Sequence, residues 1–289
     1  MKNRYLCRMN EKKPLFVSDM DGTLLGSDSL VSPESVQMLN QAIAAGALFT
    51  VATARTPATV VPLMSQVNAN LPFICLNGAA LWDNQRGDYT IVNVLPTETV
   101  SAIARVYERH GLHPFVYRRH GHIIHAHHYG ALSKQEAQFV AERQGLALKK
   151  FMLGDPGYSQ SRDDAMLIFS MQDYVRLKPI YEEIKATISC SAVLYHDIFD
   201  NASGILEIYA PGVSKAAAVK RLKQMTGSDC LIVFGDNRND ILMMQVADYS
   251  VAVGNAFPEV KAAASQVIQP NVTHAVGRYI LAHTSQHNK

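Results

Sequence analysis

The stretch LFVSDMDGTLLGSD, residues 15–28, places two acids one residue apart, Asp19 and Asp21, directly after an apolar run. Residues 15–17 have the character of a short buried strand, whereas Asp and Gly are poor strand residues, so both carboxylates are expected where the strand ends. Like charges held this close raise the free energy of the fold unless a cation lies near them. The stretch therefore predicts a strand end that needs a cation.

The composition is that of a globular protein. Its 289 residues suit two domains, and 48% hydrophobic against 18% charged residues allow a sizeable core. The formal net charge of +2 gives no reason to expect a nucleic-acid surface or a basic membrane anchor. No apolar segment follows the basic start as in a secretory signal, and Cys7, Cys75, Cys190 and Cys230 form no C-x-x-C pair. We therefore expect a cytoplasmic protein with reduced thiols.

The first part of the chain alternates strands and helices. Ser32-Pro33 is a helix start, and that helix should stop at Gly46. Residues 48–52 are a second apolar strand, Thr56-Pro57 opens another helix, and residues 73–76 are a third strand. This spacing predicts an α/β fold with a parallel sheet and right-handed crossovers, whose loops of chemical interest lie at the carboxyl ends of the strands.

The rhythm changes near residue 84 to that of an α+β domain. Helices are expected near residues 97–110, after the capping box Ser133 to Glu136 and over 174–187, and strands near 115–117, 122–126, 166–169, 193–196 and 205–209. The parallel rhythm then resumes with a helix over 214–226 and strands at 231–234 and 250–253. We therefore predict a Rossmann-like core of residues 1–83 and 204–289 with an inserted α+β cap of residues 84–203.

A run of histidines in the insert resembles a metal site at first sight. It comprises His120, His122, His125, His127 and His128. In a strand, His122 and His128 would share one face and His125 and His127 the other, so they would not converge as one ligand set. We expect a solvated or substrate-facing hairpin rather than a metal centre.

Polar residues with chemical potential follow the ends of the core strands. They are Asp19 and Asp21, Thr53 and Arg55, Asn77, and Asp236, Asn239 and Asp240, with Lys215 at a helix start. Parallel strands bring their carboxyl ends to one edge, so these residues can converge. Several carboxylates without His or Cys favour Mg²⁺, which keeps waters and is completed by a substrate phosphate. The Lys215 ammonium and the Thr53 hydroxyl would hold other phosphate oxygens.

Four motifs, in order and spacing, resemble those of the haloacid dehalogenase (HAD) superfamily. They are DMDGT at 19–23, Thr53, Lys215 within PGVSKAAAVKRL, and GDNRNDILMM at 235–244. The stretches CLNGA and SVAVGNAFPEVKAAAS resemble the Cof-like branch, subclass IIB, whose α/β cap is inserted between the second and third motifs. The resemblance implies a phosphatase that hydrolyses small phosphorylated metabolites with Mg²⁺ through a phosphoaspartate. Sugar phosphates, nucleotides and pyridoxal phosphate are the candidate substrates.

The resemblance also implies roles for the acids. Asp19 would be the nucleophile, and Asp21 would be the general acid and then the base, with its backbone carbonyl on the metal. Asp19 and Asp236 would bind Mg²⁺ directly, and Asp240 would anchor the waters of the metal. To act as an acid near neutral pH, Asp21 needs a raised pKa, which neighbouring carboxylates favour and the metal opposes.

Three further residues would bind the phosphoryl group by the same resemblance: Thr53, Lys215 and Asn239. The sequence departs from the family at Ala54, where Gly commonly follows the threonine. A methyl group there matters if the backbone needs a positive φ or approaches the substrate closely. Arg55 is expected to pair with a structural carboxylate or to point outward rather than to contact phosphate.

Two alternatives stay open at this point. A phosphosugar mutase such as phosphomannomutase shares the cap and the phosphoaspartate but returns the phosphoryl group to sugar. A phospho-ligand-binding regulator of the same fold would bind without turnover, although the intact acids and Lys215 argue against it. In a phosphatase or a mutase, the cap would close over the crevice and select the leaving group. The pattern specifies no oligomeric state.

Overall fold

The apolar runs become the strands of the structure, a computed structural model that describes residues 14–155, 163–196 and 202–284. Cys7, the basic start of the chain and the polar end after Thr284 lie outside these residues. The strands are β1 (Pro14–Ser18), β2 (Leu48–Val51), β3 (Phe73–Cys75), β4 (Ala80–Asp83), β5 (Asp88–Val92), β6 (Phe115–His120), β7 (Ile123–His128), β8 (Lys149–Leu153), β9 (Ala165–Asp173), β10 (Ser191–His196), β11 (Ser203–Tyr209), β12 (Cys230–Gly235), β13 (Tyr249–Ala252) and β14 (Gln266–Val267). The helices are α1 (Pro33–Ala44), α2 (Pro57–Leu63), α3 (Thr97–Arg109), α4 (Lys134–Arg143), α5 (Tyr174–Thr187), α6 (Lys215–Thr226), α7 (Ile241–Val246), α8 (Pro258–Ala263) and α9 (Ala275–Thr284).

The first of two compact units contains the described residues up to Arg86 and from Ser214 onward. Its main sheet has the order β14-β13-β12-β1-β2, and all neighbouring strands are parallel. Every residue of β1 is buried between β12 and β2, as an apolar central strand requires. Because β1 and β12 run in the same direction, the loops that follow them begin at the same edge. The predicted α/β fold with a parallel-sheet core is confirmed.

The helix starts of this unit follow the capping signals of the sequence. Ser32 caps α1 by accepting a hydrogen bond from the Ser35 amide at 3.1 Å, and the chain leaves the helix at Gly46 with a φ of +98°. Ser214 caps α6 in the same way, accepting from the amide of Ala217 at 3.1 Å. Lys215 is therefore the first residue of α6, directly after the Ser214 cap.

The second unit, Gly87–Val213, is built on a six-stranded sheet of order β10-β11-β9-β6-β7-β8. All its neighbouring strands are antiparallel except β7 and β8. Helices α3 and α5 supply Val100, Ile103, Leu177 and Ile180 to a core that includes Leu206 of the sheet. Within the described ranges, no helix combines the length and apolar character needed to cross a bilayer.

The division between the units differs from the predicted one at its second crossing. The prediction ended the insert at residue 203, the first residue of β11, whereas the second unit continues to Val213. The reason is that β11 pairs with both β9 and β10, so it belongs to the sheet of the insert. Strand β8 is a further element that the sequence interpretation did not include.

The histidine run is arranged differently from the expectation in one respect. His122 precedes β7 instead of continuing it, and His128 lies on the opposite face of β7 from His125 and His127. The rings of His120 and His125 stack with their centroids 4.5 Å apart. Among the described residues, the group whose geometry could hold a metal contains no histidine.

Lys149, at the start of β8, is only 3% exposed and lies among aromatic rings. Its Nζ donates a hydrogen bond to the Tyr117 hydroxyl at 2.6 Å and lies 4.8 and 4.7 Å from the ring centroids of Phe139 and Phe151. Burial lowers the pKa of Lys149 well below its usual range, and the nearby Arg143 lowers it further. The Lys149 amine is therefore buried in the folded protein and has a lower pKa there than in the unfolded chain.

We expect Lys149→Met to stabilise the protein at neutral pH by about 1–2 kcal/mol, because a buried amine is replaced by an apolar chain. The unfolded chain holds its lysine proton up to a pKa of about 10.4. As the pH falls below that value the unfolded state binds more protons than the folded state, so the parent loses stability. Urea unfolding at pH 7 and pH 9.5 should show this loss in the parent and a smaller one in Lys149→Met.

The matched control is Lys150→Met, because Lys150 is the neighbouring residue and is exposed. This variant should keep the pH dependence of the parent. An equal pH dependence in Lys149→Met and the parent would contradict the buried, depressed titration of Lys149.

Candidate active site

Three buried or half-buried acids and a lysine meet at the edge where β1 and β12 end. One carboxylate oxygen from each of Asp19, Asp236 and Asp240 lies within 4.8 Å of the others. The Lys215 ammonium donates to Asp19 Oδ1 at 2.5 Å and to Asp240 Oδ1 at 2.8 Å. Asp19, Lys215 and Asp240 are 6%, 4% and 0% exposed. The structure thus brings together four residues from three motifs that are far apart in the sequence.

Asp240 organises the loop that follows β12. Its Oδ2 accepts hydrogen bonds from the backbone amides of Asp236 and Asn237, each at 3.1 Å, while its Oδ1 accepts from Lys215. This fold-back needs a glycine at 235, since a Cβ there would lie 2.6 Å from the Cβ of Asp240. Both oxygens of Asp240 are therefore engaged by the protein itself.

Gly22 and Thr23 of the DMDGT stretch position Asp236. Gly22 has a φ of +74°, and a Cβ on it would lie 2.4 Å from Asp236 Oδ2. Thr23 Oγ1 donates to Asp236 Oδ1 at 2.7 Å. The sequence interpretation missed this link, because it connects residues 213 positions apart. Its signal in the sequence was the Gly-Thr pair directly after the two acids.

Asp21 points away from the acid cluster. Its side chain is 49% exposed, and its two oxygens accept from Arg55, Oδ2 from Nε at 2.8 Å and Oδ1 from Nη2 at 2.6 Å. Arg55 was expected to pair with a structural carboxylate or to point outward. The structure instead pairs it with Asp21, the acid to which the family resemblance assigns proton transfer.

Thr53 is 1% exposed, and its hydroxyl oxygen accepts from the backbone amide of Arg55 at 3.1 Å. Ala54 is not among the described residues with a positive φ, so its methyl group causes no left-handed strain in the loop. Asn77 has a φ of +51°, and its backbone amide donates to the backbone carbonyl of Thr53 at 2.9 Å. Asn239 is exposed on the turn before α7. Thr53 and Asn77 are thus joined, whereas Asn239 remains at the surface.

The charges of the cluster do not balance. Burial raises the pKa of Asp19 well above its usual range, and Asp240 raises it further. Burial likewise raises the pKa of Asp236 to about 6. Burial would lower the pKa of Lys215, but the carboxylates of Asp19 and Asp240 raise it above its ordinary value. Three acids around one lysine leave excess negative charge, and an all-oxygen donor set fits a divalent cation.

Comparison with known proteins agrees with this geometry. The family model of haloacid dehalogenase-like hydrolases matches residues 16–280. The chain belongs to this family. Residues of all four motifs fall inside the matched range, and the predictions of a HAD-type fold and of membership in this superfamily are confirmed.

Two relatives and a solved structure extend the comparison. The chain is 26% identical over 284 residues to pyridoxal phosphate phosphatase YbhA of Escherichia coli (strain K12), covering 92% of this chain and 96% of that protein. It is 26% identical over 285 residues to 5-amino-6-(5-phospho-D-ribitylamino)uracil phosphatase YwtE of Bacillus subtilis (strain 168), covering 91% and 95%. A haloacid dehalogenase-like hydrolase from Bacteroides thetaiotaomicron shares the fold with a TM-score of 0.75 at 21% identity, covering 93% and 98%. The predicted enzyme class, a phosphatase of this family, is confirmed.

Proposed function

We propose that this protein hydrolyses phosphate monoesters of small metabolites with Mg²⁺, through a phosphoaspartate on Asp19. The observation that carries the proposal is the buried contact of Asp19 with Lys215 beside Asp236 and Asp240. A carboxylate is a weak nucleophile, but one that is fixed in place gains from orientation. Lys215 keeps this carboxylate in a defined position and offers positive charge to the incoming phosphoryl oxygens.

The chemistry would take two steps with Asp21 as the proton carrier. In the first, a carboxylate oxygen of Asp19 bonds to phosphorus, the ester P–O bond breaks, and the Asp21 proton passes to the leaving oxygen, which departs as an alcohol. In the second, the Asp21 carboxylate takes a proton from a water whose oxygen bonds to phosphorus. The bond between Asp19 and phosphorus breaks, inorganic phosphate leaves, and Asp21 is protonated again.

The remaining residues would bind the phosphoryl group and the cation. Thr53, Lys215 and Asn239 would contact phosphoryl oxygens. Asp19, Asp236 and the backbone carbonyl of Asp21 would hold Mg²⁺, and Asp240 would anchor its waters. When bound, the ion would neutralise charge on the phosphoryl oxygens. Asn239 is exposed in the structure, so its role depends on contact with substrate.

The proposed substrates are sugar phosphates, nucleotides or pyridoxal phosphate. The names of the two relatives support this class, since both describe phosphatases of small phosphorylated compounds. We assign the choice among these substrates to the second unit, as the substrate-specificity cap.

We propose that the protein is located in the cytoplasm. Among the described residues Cys75, Cys190 and Cys230 are free thiols, which is in accord with a reducing compartment.

The test is phosphate release from a panel of these metabolites by the purified protein. We expect turnover of one or more compounds with Mg²⁺, a loss of more than about 10²-fold after EDTA treatment, and recovery when Mg²⁺ is restored. Activity that survives EDTA would contradict the metal assignment. Release of an isomerised sugar phosphate in place of free phosphate would identify a mutase, and binding without turnover would identify a regulator.

A further inference from the structure

The pairing of Arg55 with Asp21 is a two-armed contact. Arg55 Nε and Nη2 each donate to a different oxygen of the Asp21 carboxylate, at 2.8 and 2.6 Å. A guanidinium matches a carboxylate in this way because its donors form a rigid planar fork, which a lysine ammonium lacks. Such a pair fixes both the position and the plane of the carboxylate.

The backbone of Arg55 is itself held from two sides. Its amide donates to the Thr53 hydroxyl oxygen at 3.1 Å, and its carbonyl accepts from the Leu76 amide at 3.0 Å. Leu76 is fully buried and has a φ of +52°, a conformation that packing must enforce for such a residue. The backbone from which the Arg55 side chain extends is therefore held in place, in the same loop as Thr53.

The backbone after Asp21 is fixed as well. The carbonyl of Gly22 accepts from Asn255 Nδ2 at 2.7 Å, and Asn255 Oδ1 accepts from the Asn271 amide at 3.0 Å. Asp21 is thus attached through its chain on one side and through its carboxylate on the other. An exposed surface ion pair between two flexible side chains has neither attachment.

We propose that Arg55 is a positioning residue that orients the Asp21 carboxylate for proton transfer and keeps it out of the acid cluster. This role rests on the proposed function. In the paired arrangement both Asp21 oxygens accept hydrogen bonds from Arg55. One arm of the fork must therefore open before an Asp21 oxygen can carry the proton that it gives to the leaving oxygen, while the other arm still holds the carboxylate. Without Arg55, the side chain of Asp21 is free to rotate, and the proton-transfer steps lose their alignment.

The experiment compares kcat and KM of Arg55→Ala, Arg55→Lys, Asp21→Asn and the double variant Asp21→Asn/Arg55→Ala. Two substrates are used: p-nitrophenyl phosphate, whose leaving group departs readily as an anion, and an alkyl phosphate that the parent hydrolyses. Arg55→Ala should lower kcat by about 10- to 100-fold on the alkyl phosphate and by less on p-nitrophenyl phosphate. Arg55→Lys should recover part of the loss.

The double variant separates positioning from other roles. If Arg55 acts only through Asp21, Asp21→Asn/Arg55→Ala should be no slower than Asp21→Asn alone. Inhibition by inorganic phosphate should be unchanged in Arg55→Ala. Arg86→Ala is the matched control, because this arginine of the same unit is exposed and its contact with Asp83 is long, at 4.0 Å. Its kinetics should equal those of the parent.

Several results would overturn the inference. Equal losses on both substrates, with weakened phosphate inhibition, would show that Arg55 contacts the phosphoryl group itself. Additive losses in the double variant, or parental kinetics in Arg55→Ala, would also contradict it while leaving the proposed function intact. No turnover in the unmodified protein would remove both. Circular dichroism and urea unfolding of each variant identify any loss that comes from misfolding.

Discussion

Replacing Asp19 with asparagine should reduce phosphate release by more than about 10³-fold on every substrate that the parent hydrolyses. An amide has no anionic oxygen to form the phosphoenzyme. It still offers a carbonyl oxygen to Lys215, which reaches Asp19 at 2.5 Å in the parent, so the fold should be retained. Stopped reactions analysed by intact-protein mass spectrometry should reveal a transient phosphorylated species in the parent and none in Asp19→Asn.

The control is Asp229→Asn, which changes an exposed acid ahead of β12 in the same unit. Its turnover should equal that of the parent. Phosphate release by Asp19→Asn at the parental rate would remove Asp19 as the nucleophile. A free energy of unfolding equal to that of the parent would show that the lost turnover of Asp19→Asn does not come from a destabilised fold.

Replacing Lys215 with methionine should remove activity and also destabilise the metal-free protein. Lys215 is 4% exposed and donates to Asp19 and Asp240, so its loss leaves two buried carboxylates without that compensating charge. Breaking a buried ion pair on one side costs about 3–5 kcal/mol. Loss of one preorganised charge at the phosphoryl group lowers kcat by about 10²–10³-fold or more.

Two measurements separate these effects. Urea unfolding with and without Mg²⁺ should show a partial recovery of stability in Lys215→Met, because a bound cation compensates the same carboxylates. Lys220→Met is the matched control, since Lys220 is exposed on the same helix, and it should match the parent in stability and turnover. Parental stability in metal-free Lys215→Met would contradict the electrostatic account of the cluster.

The sequence was sufficient to place the acid cluster because each member follows an apolar run or opens a helix in a parallel α/β order. Asp19 follows β1, Asp236 follows β12, and Lys215 starts α6 directly after its Ser214 cap. The carboxyl ends of parallel strands lie at the same edge of the sheet, so residues that follow different strands come close together in space. The helix caps were likewise local signals that tertiary packing left unchanged.

The contacts that tertiary structure creates were beyond reach. Arg55 and Asp21 are 34 positions apart, and their pairing depends on how two loops meet at the sheet edge. The side chain of Asn255 donates to the backbone carbonyl of Gly22. A sequence pattern does not reveal a contact between a side chain and a distant backbone group. Lys149 follows the pattern of a surface lysine, and the rings around its ammonium come from β6, α4 and its own strand β8.

The boundary of the insert could not be located for a similar reason. The sequence pattern placed the strand at 205–209, which corresponds to β11, with the α+β elements, but the predicted bound at residue 203 left this strand outside the insert. Its pairing with β9 and β10 is antiparallel and non-local, and the alternation of its side chains does not show which sheet it joins.

The hydrogen bonds of Asp240 bear on the proposed binding of a metal ion. Because the protein occupies both of its oxygens, the turn from Asp236 to Asp240 is already ordered by internal hydrogen bonds. The conformational entropy of this turn is lost during folding, and cation binding has little left to order. Under the proposed metal dependence, a divalent ion would bind to a site that is already ordered, so activity lost on metal depletion should return when the metal is restored, without refolding.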